Sequence, residues 1–218
     1  MELRGVPEEV WDKLCGLGVE KKIPAGNILF LQNDQVGPLI ILKHGFVRLH
    51  KIQNDGVQYT FSICNGYSFL CAAAHVCSKE QYPISATAYT DVTVVCVDWT
   101  AAYKLIENCN SLTFCLLKCI SGELLTTYNQ TADKSLSVLQ RVARFLLLQD
   151  QYGMLCFHDY SYEHEINITH EMLATMIGAS RATVSLALNE LEKNGIIMKK
   201  YRKIRIVSKE RLHSYVDG

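Results

Sequence analysis

The sequence predicts an α+β fold that consists of a strand-rich sandwich or barrel, a long helix and a winged helix-turn-helix, in that order. Short apolar and β-branched runs, separated by turn residues, fill the first part of the chain and indicate strands. Residues 99–132 contain no proline and one glycine, and their apolar side chains recur at helical spacing. Two short helical patterns and an alternating basic segment complete the chain. These observations divide it into parts at 1–98, 99–134 and 135–218.

The composition is that of a globular protein without an overall excess of either charge. The 218 residues are enough for one large or two modest domains. Hydrophobic residues make up 49% and charged residues 20%, which excludes a disordered or fibrous chain. Because 22 Lys and Arg balance 22 Asp and Glu, a surface for nucleic acid must arise from local segregation of charge.

Cysteine usage predicts a cytoplasmic protein with reduced thiols. The nine cysteines are an odd number, and the start of the chain lacks the apolar segment of a secretory signal. No Cys-x-x-Cys pair occurs, so we predict no metal site of the common zinc or redox type. Segment 56–78 is uncharged, but its polar residues and glycines make it unsuited to span a membrane, and no membrane association is expected.

Alternation and turn residues define the strands in the first part of the chain. One buried face with a period of two is formed by Val57, Tyr59, Phe61 and Ile63. Two further strands, at 39–42 and 46–49, flank the turn His44-Gly45. The tripeptide Asn54-Asp55-Gly56 is a strong hairpin signal, because these residues tolerate positive φ.

Two apolar stripes predict the long helix and the helix that follows it. Between 99 and 132 one stripe carries Leu112, Leu116, Cys119, Glu123 and Thr127. Lys134-Ser135 interrupts the pattern, and Ser135 is predicted to be the N-cap of the next helix. That helix ends near Tyr152-Gly153, and its apolar face comprises Leu136, Leu139, Val142, Ala143, Leu146 and Leu147.

The segment 169–195 has the pattern of a helix-turn-helix. Thr169 is placed to cap a first helix, and Gly178 is placed to end it in a left-handed conformation. Ser180 is placed to cap the second helix, and Ala174 is small where the two helices must cross. The predicted inner positions are Leu173, Ala174, Ile177, Val184, Ala187, Leu188 and Leu191.

Charge and residue type favour DNA binding over the alternative, an ordinary helical hairpin in a core. The second helix begins with short polar and cationic residues of the kind that contact phosphates and base edges. Residues 193–211 contain eight Lys and Arg against one acid, and 198–207 alternate like a basic β-hairpin, or wing. The predicted DNA-binding residues are Thr169, Ser180, Arg181, Thr183, Ser185, Asn189, Lys199 and Lys200.

These segments together resemble the CRP/FNR family of transcription regulators over nearly the full chain. The matching segments are IPAGNILFLQNDQ, LIILKHGFVRLHKIQNDGVQYTFSICNGYSFL and ITHEMLATMIGASRATVSLALNELEKNGII. The resemblance implies a sensor roll, a dimerisation helix and a DNA-binding domain, in a protein that is not an enzyme. It implies a homodimer on palindromic double-stranded DNA, with Leu116 and Leu124 in the helix interface. RNA polymerase is an implied partner if the protein activates transcription.

The effector site departs from that of the cyclic-nucleotide-binding members. Their Gly-Glu and Arg-Ser or Arg-Thr pairs bind the ribose and the phosphate, and the matching positions here are Leu70-Cys71 and Tyr82-Pro83. No arginine occurs between Leu49 and Gln140, and a buried phosphate without a cation is costly. We therefore expect an effector other than cyclic AMP: a small, largely apolar molecule or a redox signal. By the resemblance, its pocket is lined by Phe61, Phe69, Leu70, Cys71, Tyr82, Leu124 and Thr127.

The predicted recognition helix also departs from the family. Many members read bases with a Glu and an Arg, and the matching positions here are Ala182 and Leu186. Arg181 and Ser185 remain as polar candidates. The family's usual half-site is therefore not expected.

Three alternatives to a regulator with a small apolar effector differ from it in what the protein senses or in its activity. No cofactor is predicted, but a heme-based gas sensor of the same family would use His75 as a ligand. Thiol sensing would use one of two pairs, Cys71 and Cys77 or Cys115 and Cys119. A cupin-like enzyme or binding module would share the cupin-like roll, but His44 and His50 do not form the His-x-His of metal cupins.

Overall fold

The computed structural model describes residues 2–3, 6–52, 58–132, 135–152, 165–201 and 203–217. They form two compact units, Met1–Leu124 and Leu125–Gly218. The predicted α+β class is confirmed, because the first unit is rich in antiparallel strands and the second combines helices with a small sheet. Within the described ranges, no helix is long and apolar enough to cross a bilayer.

Antiparallel strands build the roll of the first unit. The strands in its described residues are β1 (Glu2–Leu3), β2 (Val6–Pro7), β3 (Gly18–Ile23), β4 (Ile28–Phe30), β5 (Leu39–His44), β6 (Phe46–Ile52), β7 (Gln58–Asn65), β8 (Ser68–Leu70), β9 (Ser85–Ala88) and β10 (Val92–Val97). Two four-stranded sheets result, in the orders β3-β10-β5-β8 and β4-β9-β6-β7. The strands predicted at 39–42, 46–49 and 59–63 lie within β5, β6 and β7. Val57 and the Asn54-Asp55-Gly56 turn lie outside the described residues.

The turn between β5 and β6 depends on Gly45. This glycine has φ +85°, a left-handed conformation that residues with a Cβ adopt at a cost. A Cβ built there would lie 2.3 Å from the carbonyl oxygen of Asp91 and 2.9 Å from the hydroxyl of Thr90. Thr90 also accepts a hydrogen bond from the backbone N–H of Phe46 at 3.0 Å. The absence of a side chain at Gly45 therefore lets two turns of the roll pack directly on each other.

One face of the β3-β10-β5-β8 sheet packs against helices. Leu39 and Ile41 of β5 are buried in this core, and the ring of Trp11 lies 5.3 Å from that of Phe69. Because successive strand residues point to opposite faces, Ile41 and its partner Phe69 share the helix-facing side. Four helices contribute residues to the first unit: α1 (Glu8–Gly16), α2 (Ala72–Val76), α3 (Trp99–Glu107) and α4 (Asn110–Ala132).

The helix predicted over 99–132 is divided in two, which corrects the sequence prediction. Helix α3 ends where the side-chain amide of Asn108 donates to the carbonyl of Lys104 at 2.8 Å. The hydroxyl of Thr113 in the next helix donates to the carbonyl of Ile106 at 2.6 Å. Polar side chains thus satisfy the backbone at the break without glycine or proline.

Helix α4 has two apolar faces. Leu112, Cys115 and Leu116 are buried in the core of the first unit. An opposite row is exposed and consists of Phe114 (58% exposed), Leu117 (56%), Leu124 (48%) and Tyr128 (59%). Leu116 therefore belongs to the core of its own protomer rather than to an exposed interface, whereas Leu124 is exposed as an interface residue must be.

In its described residues, the second unit consists of helices and a three-stranded sheet. Its elements are α5 (Val138–Tyr152), β11 (Glu165–Asn167), α6 (His170–Ile177), α7 (Arg181–Lys193), β12 (Ile197–Lys200), β13 (Lys203–Ile206) and α8 (Lys209–Asp217). The sheet has the order β11-β13-β12. Strands β12 and β13 form the predicted wing hairpin. Strand β11, which pairs with β13, was not predicted from the sequence.

The start of α5 corrects one predicted cap. Ser137, not Ser135, caps this helix: its hydroxyl accepts from the N–H of Gln140 at 3.3 Å. The side chain of Gln140 accepts in return from the N–H of Ser137 at 2.9 Å, which completes a capping box. The predicted apolar residues Val142, Ala143, Leu146 and Leu147 are buried, whereas Leu136 and Leu139 are half-buried.

Candidate nucleic-acid interface

Helices α6 and α7 form the predicted helix-turn-helix with the predicted caps. The hydroxyl of Thr169 accepts from the N–H of Met172 at 3.1 Å, and that of Ser180 accepts from the N–H of Thr183 at 3.1 Å. Gly178 ends α6 with φ 64°, in the left-handed region. These local signals fix the turn. The inner residues are buried, apart from the half-buried Ile177: Leu173, Ala174, Val184, Ala187, Leu188 and Leu191.

An arginine of α5 holds the turn from outside the motif, and sequence reasoning missed it. One guanidinium nitrogen of Arg141, Nη1, donates to the carbonyls of Ile177 at 2.6 Å and of Gly178 at 3.3 Å. These carbonyls end α6 and would otherwise lack helical partners. Because Arg141 lies 36 residues from Ile177 in the sequence, no local sequence pattern predicts the contact.

Replacing Arg141 with alanine is expected to loosen the turn. Charged hydrogen bonds of this kind contribute about 1.5–3 kcal/mol, so the amides of α6 and α7 should exchange about tenfold or more faster. Hydrogen exchange followed by mass spectrometry measures this locally. The control is Arg211→Ala, because Arg211 is an exposed arginine of α8. Equal exchange in both variants would show that Arg141 does not hold the turn.

The outer surface of α7 presents the predicted contact residues, but some are already engaged. Ser180, Arg181, Thr183 and Asn189 are exposed. The hydroxyl of Ser185 donates to the carbonyl of Arg181 at 2.9 Å and lies 2.8 Å from Nδ1 of His170. The hydroxyl of Thr183 lies 2.7 Å from that of Ser180. The serine and threonine hydroxyls therefore also stabilise the helix start.

His170 lies among the cationic residues of this surface. Burial, the Lys199 ammonium and the Arg181 guanidinium together lower the pKa of His170. The neutral imidazole is therefore favoured beside the hydroxyl of Ser185. Burial is the largest cause of this shift, and the two cations add to it.

The wing is attached to α7 through Lys199. Its ammonium lies 3.0 Å from a carboxylate oxygen of Glu192 and also contacts the side-chain oxygen of Asn189. The backbone N–H of Lys199 donates to the other Glu192 oxygen at 3.0 Å. These hydrogen bonds from Lys199 lower the pKa of Glu192. Lys199 thus positions the wing, a role the sequence did not indicate.

The outer side of the wing is basic. Ile204 and Ile206 are buried, and the residues that alternate with them, Lys203 and Arg205, are exposed. Lys200 is also exposed, whereas Arg202 lies outside the described residues. This unit therefore has a local positive charge, although the chain as a whole is neutral. The charge comes from Arg181, Lys200, Lys203 and Arg205.

The residues predicted to line an effector pocket are only partly brought together. Tyr82 is buried and stacks on Phe30 with ring centroids 4.0 Å apart, and its hydroxyl accepts from the N–H of Gly37 at 3.2 Å. Leu70 and Cys71 are buried as well. Burial, followed by the negative charge of Glu123, raises the pKa of the Cys71 thiol to about 12.

Two of the predicted pocket residues lie elsewhere. Phe69 packs with Trp11 in the helix-side core, because strand alternation turns it away from the side of Leu70. Leu124 is in the exposed row of α4. Phe61 and Thr127 are half-buried.

His75, the predicted heme ligand, is buried in α2. Its ring centroid lies 5.0 Å from that of Trp99, and burial lowers its pKa. Its Nε2 has no hydrogen-bond partner within the described part of the chain. The imidazole is thus packed against an aromatic ring in the interior of the first unit.

Comparison with known proteins agrees with both units. Residues 20–109 match the cyclic nucleotide-binding domain family, and residues 140–215 match the Crp-like helix-turn-helix domain family. A CRP-like cAMP-activated global transcriptional regulator of Mycobacterium tuberculosis is 28% identical over 191 residues, which cover 87% of this chain and 84% of that protein. The anaerobic regulatory protein of Bacillus subtilis is 24% identical over 197 residues, with coverages of 88% and 81%.

Solved structures share the fold. The structure of FixK2 from Bradyrhizobium japonicum superposes with a TM-score of 0.70 at 19% sequence identity, over 91% of this chain and 96% of that one. The two matched domains occur here in the order expected from the sequence, with α4 between them. The chain therefore belongs to the CRP/FNR family of transcriptional regulators.

Proposed function

We propose that this regulator binds a specific palindromic DNA sequence in the cytoplasm as a homodimer and responds to an effector other than cyclic AMP. One observation carries the DNA-binding part: exposed Arg181 stands at the start of α7, in the same unit as the basic wing strands. A helix N-terminus and cationic side chains both attract phosphate groups. An arginine can also donate two hydrogen bonds to the O6 and N7 atoms of one guanine. RNA polymerase is the further partner if the protein activates transcription.

Selection from a random duplex library, followed by gel-shift titration at two salt concentrations, tests DNA binding. Affinity for the selected site should fall steeply as salt rises, because bound phosphates release counterions. Arg181→Ala should weaken binding by about 1–3 kcal/mol and relax specificity at one base pair. Lys79→Ala, at an exposed lysine of the first unit, is the control and should bind normally. A chain that enriches no sequence is not the proposed regulator.

The exposed row of α4 supports the homodimer. Phe114, Leu117, Leu124 and Tyr128 are separated by three, seven and four residues, which is the spacing of a coiled-coil seam. An exposed apolar row of this length on a regulator of palindromic DNA fits a two-fold partner, a second copy of the same helix. The row replaces the predicted pair Leu116 and Leu124 as the proposed interface.

The sensor residues disfavour a phosphate-containing effector. Leu70, Cys71 and Tyr82 are buried where cyclic-nucleotide-binding members carry phosphate and ribose ligands, and Glu123 adds negative charge beside Cys71. An anion there would lose hydration without gaining a cation. The mycobacterial relative is named as cAMP-activated. Calorimetry with cyclic AMP and cyclic GMP should nevertheless show no saturable heat with this chain, and a micromolar response that raises DNA affinity would contradict the proposal.

A redox effector would act at Cys109, a cysteine outside both predicted pairs. The hydroxyl of Ser111, 3.3 Å from the Cys109 sulfur, and the backbone N–H groups at the start of α4 lower the pKa of Cys109. The pKa of Cys71 is instead raised to about 12. Since the thiolate reacts, iodoacetamide at about pH 8 should alkylate Cys109 well before Cys71. Peptide mass spectrometry measures the order, with urea-unfolded protein as the control, and faster labelling of Cys71 would restore it as the candidate.

A heme-based sensor is the second candidate, favoured by the unpartnered buried Nε2 of His75. His75 would be the residue that holds the iron, and heme would supply gas binding. The Trp99 ring against the imidazole instead fits a packing role. An absorbance spectrum of the purified protein, and of His75→Ala, separates these readings: a heme band that is lost in the variant supports the sensor.

A further inference from the structure

The outer surface of α7 contains an apolar side chain at its centre. Leu186 is 69% exposed, more than any other leucine in the described ranges. Ala182, one helical turn earlier, is also exposed, so the two form a short apolar strip on one side of the helix. Arg181 begins the same surface.

The polar neighbours of this strip have partners within the domain. The hydroxyl of Ser185 is engaged with His170 and the carbonyl of Arg181. The side-chain oxygen of Asn189 contacts the ammonium of Lys199. Contacts that these two residues would make to bases must therefore compete with existing hydrogen bonds, whereas contacts of Leu186 need no such exchange.

The charge around the strip indicates what covers it. Arg181 lies beside the strip on α7, and exposed Lys200, Lys203 and Arg205 lie on the wing. A partner that meets this surface must be an extended anion that also presents an apolar group. Duplex DNA meets both conditions, because the 5-methyl group of thymine is the apolar group of the major-groove edges.

We propose that Leu186 packs on the 5-methyl group of a thymine in each half-site and so sets the base preference there. This inference rests on the proposed DNA-binding function. Opposite guanine or cytosine, the leucine would cover a polar base edge without offering a hydrogen bond, which disfavours those bases. Arginine or glutamate at this position would have the opposite preference for polar edges.

Replacement of single thymines by deoxyuridine in the selected duplex tests the inference, because uracil differs from thymine only by this methyl group. For the wild-type chain, replacement of thymine by uracil at one position of each half-site should lower the affinity about fourfold. This factor corresponds to the free energy of burying one methyl-sized group. Leu186→Ala should bind the thymine and uracil duplexes with nearly equal affinity. Leu186→Met, which keeps an apolar chain of similar size, should keep most of the difference.

The matched control is Val76→Ala, which shortens an exposed apolar side chain of the first unit, away from the recognition helix and the wing. It should retain the full difference between thymine and uracil. The inference is overturned if the wild-type chain binds both duplexes equally at every position, or if Leu186→Ala still discriminates between them. Either result leaves sequence-specific binding intact, whereas a chain that enriches no sequence refutes the proposed function itself.

Discussion

Glutamate in place of both Leu117 and Leu124 is expected to convert the proposed dimer into a monomer. Both leucines are in the exposed seam of α4, where each copy of the helix would bury them against the other. Four carboxylates in one two-fold interface would repel each other and would lose hydration. Because a dimer binds two half-sites at once, affinity for the palindrome should fall by about 100-fold or more.

Light scattering coupled to size-exclusion chromatography measures the mass, and gel shift measures the affinity. The matched control places glutamate at Leu17 and Leu31, which are 47% and 42% exposed but lie outside α4. That variant should stay dimeric. Leu116 is unsuitable for this experiment, because a charge in the core would unfold the protomer. A seam variant that remains dimeric would place the interface elsewhere.

Alanine at Gly45 is expected to destabilise the roll by about 2–5 kcal/mol. About 1–2 kcal/mol comes from placing a Cβ in the left-handed conformation, and the rest from overlap with the Asp91 carbonyl, 2.3 Å away. Urea unfolding followed by tryptophan fluorescence measures the loss. Both tryptophans, Trp11 and Trp99, lie in the first unit, so the signal reports on that unit.

The variant Gly26→Ala separates the cost of the left-handed conformation from the cost of the overlap with Asp91. Gly26 has φ +83°, almost the same as Gly45, but a Cβ there would meet nothing within 4 Å. We expect this variant to lose only the conformational part, about 1–2 kcal/mol. Equal losses in both variants would mean that the contact with Asp91 contributes nothing.

The helix-turn-helix was the most predictable part of the molecule, because its determinants are local. A hydroxyl three residues before an N–H caps each helix, as Thr169 and Ser180 do. The left-handed Gly178 and the inner apolar positions follow from spacing alone. The alternation of segment 198–207 likewise predicted the β12–β13 hairpin of the wing.

Features that depend on distant residues were not predictable. The hydrogen bond from Arg141 to the C-terminus of α6 joins residues that are 36 positions apart. The two residues predicted for the helix interface have different environments, since Leu116 faces the core of the first unit and Leu124 is exposed. Phe69 was placed in a pocket by resemblance, but the pairing of β5 with β8 turns it toward Trp11.

The contact between Arg141 and the helix-turn-helix bears on how the DNA-binding part could be isolated as an autonomous fragment. Helix α5 packs against α6, α7 and α8, and it supplies the guanidinium that closes the turn. A truncated chain that began at β11 would retain the recognition helix and the wing but would expose the apolar side of three helices to water. The shortest fragment with an intact turn therefore begins at Ser137, the cap of α5.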